Sequence, residues 1–206
     1  MLDFLWNDHA YLRLGFSNAH WISDELLRTN QPWPFQLDRW KARGIRTVIN
    51  LRGRFHESYH ALETDACRRF GLTLVDFPVG SREVPSPERV LGAKRLFETV
   101  QYPALMHCKS GADRAGLMSV LYMHFRKGRT IREALDQLHL RYMHVKQGNC
   151  GVLDYTFERY FAEGEAQGLS FLEWVQSPLY DPAGMKATFR SEMWGRLLTE
   201  GLLKRE

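Results

Sequence analysis

Residues 104–126 hold the feature that most limits how this chain can fold. The apolar run Ala104-Leu105-Met106 leads into ten residues, 107–116, that read HCKSGADRAG, and a helix-like segment follows. A buried strand that passes through a glycine-containing turn into a helix directs backbone N–H groups toward the positive end of that helix, where a phosphate dianion fits. The sequence therefore predicts an anion-binding loop between a strand and a helix.

Two residues of this loop have side chains suited to phosphoryl transfer. The inward N–H groups, the helix dipole and the guanidinium of Arg114 should favour the thiolate form of Cys108, which makes it the candidate nucleophile. Arg114 lies six positions after Cys108 and can bind two phosphoryl oxygens with its planar fork. The loop residues predicted to bind substrate are Lys109, Ser110, Gly111 and Ala112.

The Cys-x5-Arg pattern, with His107 before it and Gly116 after it, resembles the signature loop of the cysteine-dependent protein tyrosine phosphatase superfamily, and particularly its dual-specificity branch. Residues 149–153, which read NCGVL, are similar to the Asn-x-Gly-Phe-Leu turn that begins the last helix of many dual-specificity phosphatases. The resemblance spans roughly Ser17 to Tyr160. It implies hydrolysis of phosphomonoesters in two steps, through a phosphocysteine intermediate and without a cofactor.

Three carboxylates are candidates for the general acid, which should contribute roughly 10²–10⁴ in rate. Dual-specificity phosphatases usually place an Asp just after a Phe-Pro strand end, but here residues 77–84 read FPVGSREV and contain none. Asp76 lies on the strand and Glu83 lies late on the loop. Asp113 is favoured, because the order Cys-x-x-Gly-x-Asp-Arg is similar to that of bacterial phosphatases with lipid-phosphatase activity and of myotubularins, in which the loop Asp has the acid role. A structural Asp113 is the remaining alternative.

Two other functions stay open. The superfamily commonly has Ser or Thr where this chain has Ala115, and this difference, with the missing loop Asp, keeps a phosphate-binding pseudophosphatase as an alternative. A rhodanese-type sulfurtransferase is less favoured, because its loop is typically shorter between Cys and Arg. A metal site is not predicted: His139, His144, Cys150 and Cys108 lack zinc-site spacing, and zinc would quench the nucleophile.

The elements alternate as βαβαβα up to the loop, which predicts an α/β fold with a central, mostly parallel sheet flanked by helices. In such sheets ligands bind beyond the carboxyl ends of the strands, where Cys108 falls. Helical patterns continue to the end of the sequence, with capping boxes at Thr130 and Ser170. We therefore predict a catalytic domain over residues 1–165 and a helical C-terminal extension over residues 166–206.

Composition limits the partners. The chain has 28 basic and 24 acidic residues, a mild excess that is not gathered into a run, so nucleic acid is not a predicted partner. A phosphorylated protein or a phospholipid or inositol phosphate is the predicted substrate. Three scattered cysteines, no signal-like pattern in residues 1–11 and no long apolar run predict a cytoplasmic chain without stable membrane insertion. The oligomeric state is left open.

Overall fold

In a computed structural model of the chain, residues 15–53 and 58–203 are described, with side chains up to Met193. Residues 1–11, on which the prediction of location partly depends, lie outside them. The chain divides into two compact units, residues 1–79 with 92–144 and residues 80–91 with 145–206. The predicted boundary between residues 165 and 166 is a different division and stays a prediction.

A mixed five-stranded sheet forms the centre of the first unit. Its strands are β1 (His20–Trp21), β2 (Leu26–Thr29), β3 (Thr47–Asn50), β4 (Thr73–Asp76) and β5 (Ala104–His107). The strand order is β1-β2-β5-β3-β4, and only the pairing of β1 with β2 is antiparallel. The predicted α/β class with a mostly parallel sheet is confirmed, and the strand that leads into Cys108 lies at its centre.

The described residues also contain eight α-helices. They are α1 (Pro34–Ala42), α2 (Ser58–Phe70), α3 (Pro87–Thr99), α4 (Asp113–Phe125), α5 (Ile131–Ala134), α6 (Val152–Arg159), α7 (Phe171–Gln176) and α8 (Pro182–Leu203). The predicted capping boxes are present at the starts of α5 and α7, where Thr130 and Ser170 each accept a hydrogen bond from the backbone N–H three residues later. Short 3₁₀ turns, rather than regular α-helix, occupy much of residues 135–151.

One face of the sheet packs against α1 and α2. Leu27, Leu105 and Val48 share one register row across β2, β5 and β3, and they pack with Leu37 of α1 and Ala66 of α2. Successive side chains of a strand point to opposite faces, so the row one residue further along faces the other side. The row after that, the last before the loops, returns to the α1 and α2 side.

The second unit has an aromatic core of its own. Trp174 of α7 is fully buried, and its ring lies 4.7 Å from that of Tyr180 and 5.6 Å from that of Tyr160. Phe189 of α8 is buried beside the Tyr155 ring of α6. Residues 80–91 join this unit through the hydroxyl of Tyr180, which donates a hydrogen bond to the carbonyl of Pro85.

Candidate active site

The predicted loop has the geometry of an anion-binding cup. Strand β5 ends at His107 and helix α4 begins at Asp113, so the five residues between them turn directly onto the helix N-terminus. The residue before α4 is Ala112, whose methyl group cannot cap the free N–H groups of the first turn. Cys108 is buried, and the backbone N–H of Gly111 donates to its Sγ at 3.2 Å. This N–H bond and the helix dipole stabilise negative charge on the sulfur.

Gly111 is fixed by two independent constraints. Its φ of +77° lies in the left-handed region, which residues other than glycine rarely adopt. A Cβ atom at this position would also lie 2.8 Å from the backbone N of Asn30 and 2.8 Å from the carbonyl carbon of Thr29. The loop can therefore pack against the end of β2 only because residue 111 has no side chain.

A buried arginine that sequence reasoning missed supports the loop from behind. The guanidinium of Arg28 in β2 donates from Nη2 to the carbonyls of Gly111 at 2.8 Å and Ala112 at 2.9 Å. From Nη1 it donates to the carbonyl of Gln137 at 2.7 Å. Arg28 is fully buried and also lies over the ring of Tyr142, 4.0 Å from its centroid. An arginine inside the apolar strand sequence Leu-Leu-Arg-Thr was a readable signal, because a buried charge needs partners.

The Arg28 charge contributes to the electrostatics of the loop. Burial lowers the pKa of this guanidinium to about 10, and negative charge on Cys108 opposes that shift. The guanidinium therefore keeps its proton at neutral pH and places a fixed positive charge behind the loop. This charge adds to the helix dipole in attracting an anionic ligand to the loop.

Asn18 joins the loop to the segment that follows α5. Its side-chain amide donates to the carbonyl of Ser110 at 3.0 Å and to the carbonyl of Tyr142 at 3.1 Å. The residue is buried, and its backbone has a φ of +42°, which Asn tolerates better than most residues. Together with Arg28, it fixes residues 137–142 against the candidate phosphate loop.

His107, the last residue of β5, lies beside the backbone of Cys108. Its Nδ1 lies 3.4 Å from the carbonyl oxygen of Cys108, and its Nε2 lies 2.7 Å from Oε1 of Glu63, at an angle outside hydrogen-bond geometry. Both side chains are buried. Gln31 donates to the same Glu63 oxygen at 3.0 Å, and its backbone N–H donates to the carbonyl of Lys109 at 3.3 Å. A buried polar network thus lies under the loop.

The three candidate acids lie in different environments. Asp113 is the first residue of α4, directly before Arg114, and its Oδ1 lies 2.8 Å from Nδ1 of His144. Asp76 ends the edge strand β4, and its Oδ1 accepts hydrogen bonds from Asn50 at 2.8 Å and His60 at 3.2 Å. It is two strands away from β5, a separation of about 10 Å.

Glu83 belongs to the second unit. Its carboxylate is exposed there and lies 3.5 Å from the ammonium of Lys186. Of the three carboxylates, Asp113 is therefore the one that the structure places on the loop itself.

The remaining loop side chains border solvent. Arg114 and Lys109 are partly exposed and Ser110 is exposed. Within the described residues, the Arg114 side chain makes no hydrogen bond or ion pair, so its fork is not committed to a protein carboxylate. A buried sulfur that accepts a backbone N–H and a guanidinium not committed to a carboxylate are groups that can bind a phosphoryl group and accept it on sulfur.

Two features are absent from residues 15–53 and 58–203. No cluster of three or more His, Cys, Asp or Glu side chains there could hold a metal ion. In the same ranges, no helix has the length and apolar character needed to cross a bilayer.

Comparison with known proteins adds a family and a fold. The family described as DSP-PTPase phosphatase fused to NAD+ kinase matches residues 26–150, more than half of the chain. Among curated proteins, none matches. The active form of Tk-PTP is 26% identical, with 69% of this chain and 97% of that chain covered and a TM-score of 0.54. TpbA of P. aeruginosa is 18% identical, with 84% and 90% covered and a TM-score of 0.55, which shows a shared fold.

Proposed function

Because this chain belongs to the dual-specificity branch of the cysteine-dependent phosphatase superfamily, we propose that it hydrolyses phosphomonoesters through a phosphocysteine intermediate. The observation that carries the proposal is the buried Cys108 sulfur at the N-terminus of α4. It accepts a hydrogen bond from the backbone N–H of Gly111, with 3.2 Å between nitrogen and sulfur. The reaction is that of a phosphoric monoester hydrolase and uses no metal or other cofactor.

In the first step the Cys108 thiolate attacks phosphorus, so that an S–P bond forms and the P–O bond to the leaving group breaks. The carboxyl of Asp113 gives its proton to the departing oxygen. In the second step water attacks phosphorus, the Asp113 carboxylate takes a proton from that water, and the S–P bond breaks to restore the thiolate. Arg114 holds two phosphoryl oxygens during both steps.

The proposed substrate is a phosphotyrosine, phosphoserine or phosphothreonine protein or a phosphoinositide-like lipid. Lys109 follows the nucleophile directly and adds positive charge at the loop, which supports substrates with more than one phosphate. We further propose that the chain acts in the cytoplasm, where reducing conditions keep Cys108 as a free thiol.

The nucleophile is tested with Cys108→Ser. This change keeps the shape of the loop but replaces the sulfur with a hydroxyl that is hardly ionised near pH 7, so we expect turnover of an aryl phosphate to be lost while vanadate binding remains. A time course in the presence of chelator gives the measurement. Chelator-resistant activity in Cys108→Ser above a trace would show that another group is the nucleophile.

The role of Asp113 as general acid is tested by varying the leaving group of the substrate. Asp113→Asn should slow hydrolysis of alkyl phosphates far more than that of aryl phosphates, because protonation matters most for the more basic departing oxygen. Asp76→Asn and Glu83→Gln are the matched controls. If Glu83→Gln lowers the alkyl-to-aryl rate ratio and Asp113→Asn leaves it unchanged, Asp113 is structural and the acid lies on the 80–84 loop.

One observation favours a second function, a pseudophosphatase that binds phosphorylated partners. Ala115 is fully buried where the superfamily commonly has a hydroxyl that assists departure of sulfur in the second step. The hydroxyl of Ser119 does not replace it, because it donates to the carbonyl of Ala115 at 2.6 Å. Micromolar binding of phosphopeptide with no phosphate release would support this function over the hydrolase.

A further inference from the structure

A buried histidine outside the signature loop contacts the proposed acid. Nδ1 of His144 lies 2.8 Å from Oδ1 of Asp113, and the His144 side chain is 1% exposed whereas that of Asp113 is 24% exposed. The two residues are 31 positions apart, and sequence reasoning considered His144 only as a metal ligand. The ring therefore presents a nitrogen to a carboxyl at the edge of solvent while itself excluded from water.

The segment that carries His144 is attached to the loop by several contacts. Asn18 bonds the carbonyls of both Ser110 and Tyr142, and Arg28 bonds the loop carbonyls while lying over the Tyr142 ring. Met143, directly before the histidine, adopts a left-handed conformation with φ +66°, and the backbone N–H of His144 donates to the carbonyl of His139 at 3.3 Å. The position of the ring relative to Asp113 is therefore set by the fold.

We propose that His144 is a positioning residue for Asp113, which it holds and stabilises by a hydrogen bond from Nδ1–H to Oδ1. This inference rests on the proposed function, in which Asp113 is the general acid. When Asp113 passes its proton to the leaving oxygen, negative charge grows on the carboxylate, and a hydrogen bond to a charged acceptor is stronger than one to a neutral acceptor. The bond thus stabilises the transition state more than the ground state.

The first unit also contains a comparable pair that serves as an internal control. His60 of α2 lies 3.2 Å from Asp76, one of the alternative acids, and both side chains are largely buried. If His144 acts by positioning the acid, only its replacement should alter the dependence of rate on the leaving group. A general effect of removing a buried histidine beside an aspartate would appear at both pairs.

The test compares His144→Ala, His144→Asn and His144→Gln by kcat for an alkyl phosphate and for 4-nitrophenyl phosphate. We expect His144→Ala to lower the alkyl rate by about 10- to 100-fold, the effect of one lost hydrogen bond to a charged group, and to lower the aryl rate much less. The Asn amide lies near the position of Nδ1, so His144→Asn should restore most of the alkyl rate. The Gln amide corresponds to Nε2 and should restore less.

Controls separate the possible failures. In the Asp113→Asn background, His144→Ala should have little further effect on the alkyl-to-aryl ratio, because the two residues act as one unit. An unchanged ratio in His144→Ala, beside a lowered ratio in Asp113→Asn, would overturn the inference and leave the proposed function standing. Equal effects of His60→Ala and His144→Ala would overturn it as well.

Folding and nucleophile controls complete the design. If His144→Ala does not fold, as judged by melting, the Asn and Gln variants give the same comparison, and equal alkyl rates in those two variants would contradict the inference. Phosphatase activity that remains in Cys108→Ser would refute the proposed function itself. This result is different from the absence of an effect in the His144 variants.

Discussion

Replacing Gly111 by Ala tests whether the close packing of the loop on β2 holds Cys108, the candidate nucleophile, in place. The alanine must adopt a φ of +77°, and its Cβ would lie 2.8 Å from backbone atoms of both Asn30 and Thr29. Left-handed backbone costs an alanine roughly 1–2 kcal/mol. Overpacking against backbone that cannot rotate away costs about another 1–3 kcal/mol. We therefore expect Gly111→Ala to lower the free energy of unfolding by roughly 2–5 kcal/mol.

Gly128, just after α4, supplies a matched control. Its φ is +68°, but a Cβ there would have no atom within 4 Å, so Gly128→Ala carries only the backbone cost of about 1–2 kcal/mol. The difference between the unfolding free energies of the two variants gives the cost of the contact with β2. Urea denaturation measures both free energies, provided that the m-value is the same for both variants. Equal destabilisation of Gly111→Ala and Gly128→Ala would refute the reasoning about the contact.

The same substitution should also affect activity. Relief of the contact moves residue 111, whose N–H donates to Cys108 Sγ at 3.2 Å, and a displaced donor stabilises the thiolate less. Turnover of an aryl phosphate should therefore fall in Gly111→Ala and remain unchanged in Gly128→Ala. Full activity in Gly111→Ala would show that this N–H is not required.

Three further predictions concern the buried Arg28, the ion pair of Glu25 and the buried Cys67. Arg28→Lys keeps the charge but cannot reach the carbonyls of Gly111 and Gln137 together, so the melting temperature should fall; an unchanged melting temperature would contradict the role of the fork. Hydrogen bonding from Arg126 lowers the pKa of the Glu25 carboxyl to about 2. Above pH 4.5, Glu25→Gln should therefore lower the free energy of unfolding by about 1–2 kcal/mol, after discounting for solvent, and this difference from the unmutated protein should disappear as the pH falls toward 2. Burial raises the pKa of Cys67 to about 12, so mass spectrometry should find it unmodified by iodoacetamide at pH 7 in the folded protein.

Local patterns in the sequence were enough to predict the elements that carry the candidate site. The apolar run before Cys108, the glycine in the turn and the helix after it are neighbours in the chain, and their backbone preferences act over a few residues. The capping boxes at Thr130 and Ser170 were predictable for the same reason, because each joins residues three positions apart. The order of strands and helices followed from these signals.

The partners of the loop could not be predicted in this way. Strand β5 pairs with β2 and β3, and no local preference states which strands become its neighbours. The pairing of β5 with β2 brings Arg28 to the loop across 83 residues, and Asn18 reaches it across 92 residues. The same contacts place His144 beside Asp113. The sequence by itself determined the strand–loop–helix segment that carries Cys108, because its geometry is local. The buried polar contacts that hold this segment were decided by tertiary structure, because burial and hydrogen bonding depend on which distant segments pack together.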